Sequence, residues 1–472
     1  MMRKLGVAAG FALLAPHTAN PQSAGDLAFT NVTVIDVAGG KLVPGMTVVI
    51  GGGRILSVSA EPIQQAKSLR VIDASGKYLI PGLWDMHVHA AMPGIDAQFL
   101  PLLVANGVTG VREMFSRMDW LKASRERIAH GSFPGPTLIG SGHILDGVPQ
   151  IWPGSVGVSD AASARRAVDS LAGAGADFIK VYSRLSPEAF FAAGREAKAK
   201  GLAFAGHIPL LVHAADASDS GMKSVEHLTQ VLAGCEAMED QIIADLAAAV
   251  AARGWDAAGG LGRANTRRWL ASYDPERCRR LAQVFVKNGT WMVPTIQVLH
   301  STAYLDDPAL ATDPRLKYIP ANFKQSWDPK ADFRFRMLTP NDWAGRKAVY
   351  AKLLEIVTLL HQEGVLFLAG TDLSNPFIYP GFSLHDELAA LVSAGLTPAE
   401  ALRTATLNPA IYFAATDTLG TVAPGKRADL VLLDANPLDD IHNTTAIAAV
   451  VVRGRLYDRK AIQQILKQKE QP

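Results

Sequence analysis

Between residues 81 and 419, short apolar runs alternate with Ala-rich stretches, and this alternation constrains the fold more than any other feature. Eight runs read as strands: 82–87, 107–112, 137–141, 177–182, 203–207, 224–227, 291–295 and 366–371. Their length suits buried strands. Stretches such as 161–174 and 187–200 read as helices and fall between several of them. Repeated strand–helix units of this number predict an α/β fold, specifically a parallel (β/α)8 TIM barrel. Barrels of this kind carry their reactive groups at the C-terminal ends of the strands. The position of each polar residue relative to a strand end therefore becomes informative.

The two chain ends have a different texture. Segments 30–37, 46–50 and 54–58 are β-branched, and Gly39–Gly40 and Gly51–Gly53 punctuate them. Segments 428–433 and 448–452 repeat that texture near the C-terminus. Two β-rich ends around a different middle predict a small β-sandwich domain from 25–80 and 420–472, with the barrel at 81–419. Residues 1–24 read as an export signal. Arg3 and Lys4 precede an apolar run, 5–15, that is too short to span a bilayer. The expected location is periplasmic or secreted, with no stable membrane span. Cys235 and Cys278 are the only two cysteines, and the sequence leaves their pairing open.

At 472 residues and 49% hydrophobic composition, the chain can bury a large core. A formal net charge of +2 gives no basic excess for nucleic acid, so the expected partner is a small-molecule substrate. Association of the chain with itself stays open.

Six residues with ligand chemistry fall at strand ends. Asp85-Met86-His87-Val88-His89 closes the first run, and residues two apart on a strand face the same side. His87 and His89 can therefore face one ion. Lys180 lies within Phe178-Ile179-Lys180-Val181-Tyr182, where an ammonium must be paired, neutral or modified. His207 and His227 end the fifth and sixth runs, and Asp372 follows Gly370-Thr371 at the eighth. Each has an ordinary alternative alone, such as a strand-end histidine bonded to backbone or a salt-bridged lysine. Jointly, strand ends that converge at one barrel mouth point to a divalent metal site, with imidazoles and carboxylate suited to zinc.

The order of these residues resembles the amidohydrolase superfamily, and most closely its imidazolonepropionase-like and prolidase-like branch. The resemblance rests on Pro81-Gly82-Leu83-Trp84-Asp85-Met86-His87-Val88-His89 and on Gly175-Ala176-Asp177-Phe178-Ile179-Lys180-Val181-Tyr182. It extends over residues 364–372, Gly395-Leu396-Thr397-Pro398-Ala399-Glu400-Ala401, and 419–430. It implies two divalent ions, zinc first among the candidates. His87, His89 and Asp372 would hold one ion; His207 and His227 would hold the other. Lys180, carboxylated by carbon dioxide, would bridge them as a carbamate. It also implies a hydrolase in which a metal-activated hydroxide attacks an amide or peptide-like C–N bond, with Asp372 as the catalytic acid–base. A dipeptide or N-acyl amino acid is the leading substrate. A lactone, ester or phosphotriester is the rival within the same chemistry. A non-catalytic exported binding protein is the rival from another class, and the complete ligand set argues against it.

Three further residues are candidates for substrate contact. Tyr182 shares a face with Lys180, His143 follows the third run, and Arg112 ends the second. Two long segments, 228–288 and 297–364, are rich in aromatics. Insertions after strands six and seven emerge at the active-site face, so they predict a partly helical cap that favours bulky or apolar substrates.

Overall fold

The computed structural model describes residues 26–62 and 69–471. The expected signal segment, 1–24, lies outside the described residues.

The central strands are β1 (Leu83–Val88), β2 (Val108–Glu113), β3 (Thr137–Gly140), β4 (Ile179–Val181), β5 (Phe204–Gly206), β6 (Ser224–Glu226) and β7 (Trp291–Val293). Each falls within one residue of the first seven runs or inside them. β1, β2 and β3 pair in parallel, and so do β4, β5, β6 and β7. The Asp177 amide donates to the Gly140 carbonyl at 2.9 Å and links the two groups. Two short strands the sequence did not suggest, Leu145–Gly147 and Val156–Val158, pair in parallel beside β4.

The eighth expected strand, 366–371, differs. Its backbone bridges β7 at Met292–Phe367 and β1 at Val88–Leu373, but no continuous ladder forms. The cause is local. Asp372 (φ 59°) and Ser374 (φ 96°) leave the extended region, so pairing cannot propagate. The segment is held instead by Leu368 N to Met292 O (2.9 Å), Met86 N to Ala369 O (2.9 Å) and Asp372 N to His87 O (2.8 Å). The fully buried Asp85 reinforces the join by accepting from the Thr371 amide (3.0 Å) and hydroxyl (2.6 Å).

Helices start where the sequence provides caps. Asp160 and Ser163 form a reciprocal capping box on Ala161–Ala174, which ends at left-handed Gly175. Ser186 caps Pro187–Ala199, whose first residue is a proline already set to helical φ. These two helices match the expected ones to within a residue.

Both chain ends join one sheet of eight strands, which run Leu27–Asp36, Lys41–Gly51, Arg54–Ser59, Arg70–Asp73, Tyr78–Pro81, Leu430–Leu433, Ile447–Val452 and Arg455–Asp458. Leu27–Asp36 pairs with Arg70–Asp73 along its first half and with Tyr78–Pro81 further on, so the sheet branches there. Phe29, Val48, Ile50, Leu79, Leu430 and Val451 form its apolar core. A terminal helix absent from the sequence reading, Arg459–Lys469, packs Ile462 and Ile465 against Val104.

Both long excursions are helical. The first holds Glu239–Arg253, Trp255–Leu270 and Pro275–Asn288; the second ends in Pro340–Gln362. Cys235 and Cys278 are joined as a disulfide across the first. The chain-entropy of a loop that size is worth about 4 kcal/mol. Cys278→Ser is accordingly expected to lower the unfolding free energy by about 2–4 kcal/mol in denaturant titration. Among the described residues no helix is long and apolar enough to cross a membrane.

Candidate metal centre

The six expected ligand residues come together. His87 Nε2 lies 3.4 Å from Asp372 Oδ1, His89 Nε2 3.0 Å from the same oxygen, and His227 Nε2 3.6 Å from Asp372 Oδ2. Lys180 Nζ is 3.3 Å from His87 Nε2. The His207 and His227 rings lie 5.0 Å apart, edge to face. Ligand atoms of His87, His227 and Asp372 fall within 4.8 Å of one another.

Backbone geometry sets these positions. Gly206 precedes His207 at φ 132°, and a Cβ there would sit 2.2 Å from the Val181 carbonyl oxygen. Only glycine lets β5 approach β4 closely enough to bring His207 beside Lys180. His227, Thr295 and Asp372 adopt left-handed φ values of 57°, 50° and 59°. Such conformations cost roughly 1–3 kcal/mol each in non-glycine residues and concentrate at functional sites.

The outer nitrogens of three histidines are tied to protein groups. His87 Nδ1 is 2.8 Å from Glu226 Oε2, His207 Nδ1 2.8 Å from Ser183 Oγ, and His227 Nδ1 2.7 Å from Thr295 Oγ1. Outer bonds of this kind fix ring orientation and leave Nε2 turned inward for a metal. Among the described residues, the buried His207 Nε2 and Asp372 Oδ1 find no hydrogen-bond partner. A buried ring nitrogen left open, on a ring already locked from behind, fits a metal-ligand set.

Electrostatics agree. Burial first, and then mutual repulsion with Lys180 and neighbouring histidines, holds His87 and His207 well below their ordinary pKa. Burial lowers His227 to about 4 against the pull of Asp372. The imidazoles are thus neutral, the ligating form. Burial opposes ionisation of Asp372, but His227, the hydrogen bond from His89 and Lys180 outweigh it and hold the carboxyl well below the usual range. Lys180, 1% exposed, is pushed down to about 8, chiefly by burial.

The three substrate candidates diverge. Tyr182 lines the cavity over the cluster; its ring stacks on His207 at 3.9 Å and its hydroxyl accepts from Trp152 Nε1 at 2.8 Å. His143 is turned to its own loop, with Nδ1 2.7 Å from the Gly154 carbonyl oxygen, and is not part of the cavity wall. Arg112 is a correction. It is completely buried, donates Nε to Met86 O (2.7 Å) and Nη1 to Ser224 Oγ and Tyr412 Oη (2.9 Å each), and grips both Glu226 oxygens with Nη2 (2.7 and 2.8 Å). A guanidinium so fully used cannot meet a substrate. It holds the carboxylate that orients His87.

Alternation along the strand turns Glu226 away from His227, its sequence neighbour, so the sequence does not point to His87 as its partner. The Glu226 side chain does point away from His227, and across the interior to His87. A second buried carboxylate, Glu113, accepts from the Ala90 and Ala91 amides (2.7 and 2.8 Å) and braces the loop after His89. The signal was present: charged residues inside apolar strands demand partners, and Arg112, Glu113 and Glu226 qualify as Lys180 does.

The cavity above the cluster measures about 460 Å3. Phe115, Trp152, Trp327, Phe333 and Arg334 form much of its wall. Of the aromatics in the two excursions, only Trp327 and Phe333 reach it. Arg334 pairs with Asp332, donates to Asn375 Oδ1 at 2.8 Å and lies over the Trp152 ring.

Comparison with known proteins adds a family match over part of the chain. A model described as amidohydrolase family matches residues 349–457, which include Asp372 and run into the terminal sheet. An adenine deaminase from Nitratidesulfovibrio vulgaris is 38% identical over 87 residues, 18% of this chain and 14% of that protein. A dihydroorotase from Anaeromyxobacter dehalogenans is 40% identical over 87 residues, 17% of this chain and 19% of that protein. The match thus spans under a fifth of either relative's length. Likeness to solved structures covers nearly the whole chain. Bottromycin amidohydrolase superimposes with a TM-score of 0.71 at 25% identity, over 94% of this chain and 89% of that one. A putative prolidase from Bifidobacterium longum gives 0.65 at 21% identity, over 95% and 100%. A segment of this chain, residues 349–457, thus matches the amidohydrolase family, and the fold over nearly the whole chain is like that of bottromycin amidohydrolase.

Proposed function

We propose that this protein is an exported, binuclear metal-dependent hydrolase that cleaves an amide or peptide-like C–N bond, in a dipeptide or N-acyl amino acid. The observation that carries the reading is the convergence of four neutral imidazoles, Asp372 and Lys180, with three of the rings locked from behind. The architecture that goes with it is a closed (β/α)8 barrel with a small β-sandwich domain and a helical cap. The two bridges of segment 366–373 support closure, and the placement of Trp327, Phe333 and Arg334 supports the cap.

In this reading His87, His89 and Asp372 hold one ion and His207 and His227 the other, zinc being the best match to the donors. Divalent ions held there would supply Lewis-acid chemistry, polarising a carbonyl and lowering the pKa of water. The remaining work belongs to the chain. The neutral amine of Lys180 would attack carbon dioxide through Nζ: an N–C bond forms as one C=O π bond opens onto oxygen, the amine proton passes to solvent, and a carbamate anion results. Asp372 takes the proton of the attacking water and returns it to the leaving nitrogen. Glu226 keeps the His87 ring in place, and the aromatic wall excludes bulk water from the reacting bond.

The walls favour a bulky or aromatic group, and the quarter of the Arg334 side chain that stays exposed beside its Asp332 and Asn375 partners favours a free carboxylate. Hence Arg334→Met is expected to raise KM at least about tenfold for carboxylate-bearing substrates and to leave their methyl amides nearly unaffected. Equal effects on both would remove Arg334 from recognition. The direct test is a turnover screen of protein loaded with zinc and bicarbonate. Dipeptides or N-acyl amino acids should be hydrolysed fastest; faster turnover of lactones, aryl esters or phosphotriesters would replace the amide reading. Export is supported by the apolar run after Arg3 and Lys4 and by the Cys235–Cys278 disulfide, since such bonds persist in oxidising compartments.

A further inference from the structure

We infer that a second cavity, between helices Glu239–Arg253, Trp255–Leu270 and Pro340–Gln362, is a separate small-molecule site that takes an apolar ligand with one amine head, met by Glu236. The cavity measures about 580 Å3 and shares no wall residue with the one over the metal centre. That volume lies in the range of small-molecule pockets. Ile242, Leu246, Leu299 and Val349 give it apolar walls.

Two polar groups inside it lack partners. Glu236 is 2% exposed and lines the cavity. Burial, and then the neighbouring Glu239, pushes its carboxyl up to about 7, and no hydrogen bond among the described residues offsets the shift. The buried Trp269 Nε1 likewise has no acceptor among the described residues. Buried polar groups are normally satisfied, so an acid left without a partner on a cavity wall awaits a ligand. An ammonium supplies the charge that Glu236 lacks.

Three arginines share the cavity wall with Glu236. Arg267 donates to Asn341 Oδ1 at 2.8 Å, Arg346 donates to the Thr302 carbonyl at 3.1 Å and lies over Phe335, and Arg263 acts on Asp342. Glycines keep the space open. A Cβ on Gly262 would meet only the Trp269 ring, at 3.8 Å, and one on Gly259 only the Arg263 guanidinium, at 3.7 Å. Each glycine inside a helix sacrifices about 1 kcal/mol relative to alanine. Room for a ligand gives that sacrifice a reason.

Calorimetric titration of the full-length protein with phenylbutylamine, phenylbutanol and phenylbutyrate tests the site. The amine should bind one to one, with the alcohol about ten- to a hundredfold weaker and the carboxylate not measurable. Glu236→Gln should bring amine and alcohol to similar affinity. Gly262→Leu, which fills the cavity, should abolish amine binding without lowering the melting temperature or the metal content. Three probes binding alike, amine binding that survives Gly262→Leu, or no saturable binding up to millimolar amine would each overturn the inference.

Discussion

Asp372→Asn is expected to lower kcat by about 10^3-fold or more on every substrate the protein hydrolyses, with KM little changed. Positioned acid–base groups contribute roughly 10^2–10^4 in rate. The loss should reach the upper part of that range because Asp372 has two duties. It contacts His87, His89 and His227 together, and in the proposed mechanism it also carries the proton. The amide cannot take up a proton as a carboxylate does. The left-handed backbone at position 372 suits asparagine as well as aspartate, so the fold is retained. Single-turnover assays alongside melting curves check this. Parental turnover in Asp372→Asn would remove the proposed proton transfer.

Glu226→Gln is expected to destabilise the protein by about 3–5 kcal/mol and to weaken metal retention as well. Arg112 and Glu226 are both completely buried, and breaking a buried ion pair on one side strands the other charge. The carboxylate accepts from Arg112, from Ser224 Oγ at 2.7 Å, and bonds His87 Nδ1 at 2.8 Å. Glutamine replaces one acceptor oxygen with a donor, so at least one of these three contacts must fail. Loss of an outer partner typically lowers metal affinity 10- to 100-fold. Denaturant titration and competition with a chelator measure the two effects independently. Since position 226 contacts no substrate in this account, rescue of activity by excess zinc should accompany the lost stability.

The sequence and the structure agree where local chemistry decides. Seven strands and the capped helices at 161 and 187 are set by apolar runs, prolines and capping side chains, and these are legible one residue at a time. The six ligand positions are legible for the same reason, as each stands beside a strand terminus. What escaped depends on long-range partners. Segment 366–373 has strand composition but splits its hydrogen bonds between two neighbours, and its left-handed residues stop the ladder. Arg112 looked free at the end of its strand, yet its partners Ser224, Glu226 and Tyr412 are more than a hundred residues away. The wall of the reaction cavity depends on how two long excursions fold back, and only Trp327 and Phe333 of their many aromatics reach it.

Lys180 and the four histidines, with Asp372, are proposed to hold two divalent ions. Anomalous diffraction from protein produced with zinc and bicarbonate measures this directly. Two peaks are expected, at about 2.0–2.1 Å from the coordinating nitrogens of His87 and His89 for one and of His207 and His227 for the other. Extra density on Lys180 Nζ should lie between them. No bound ion, ions away from these residues, or a bare Lys180 amine beside two occupied sites would contradict the account.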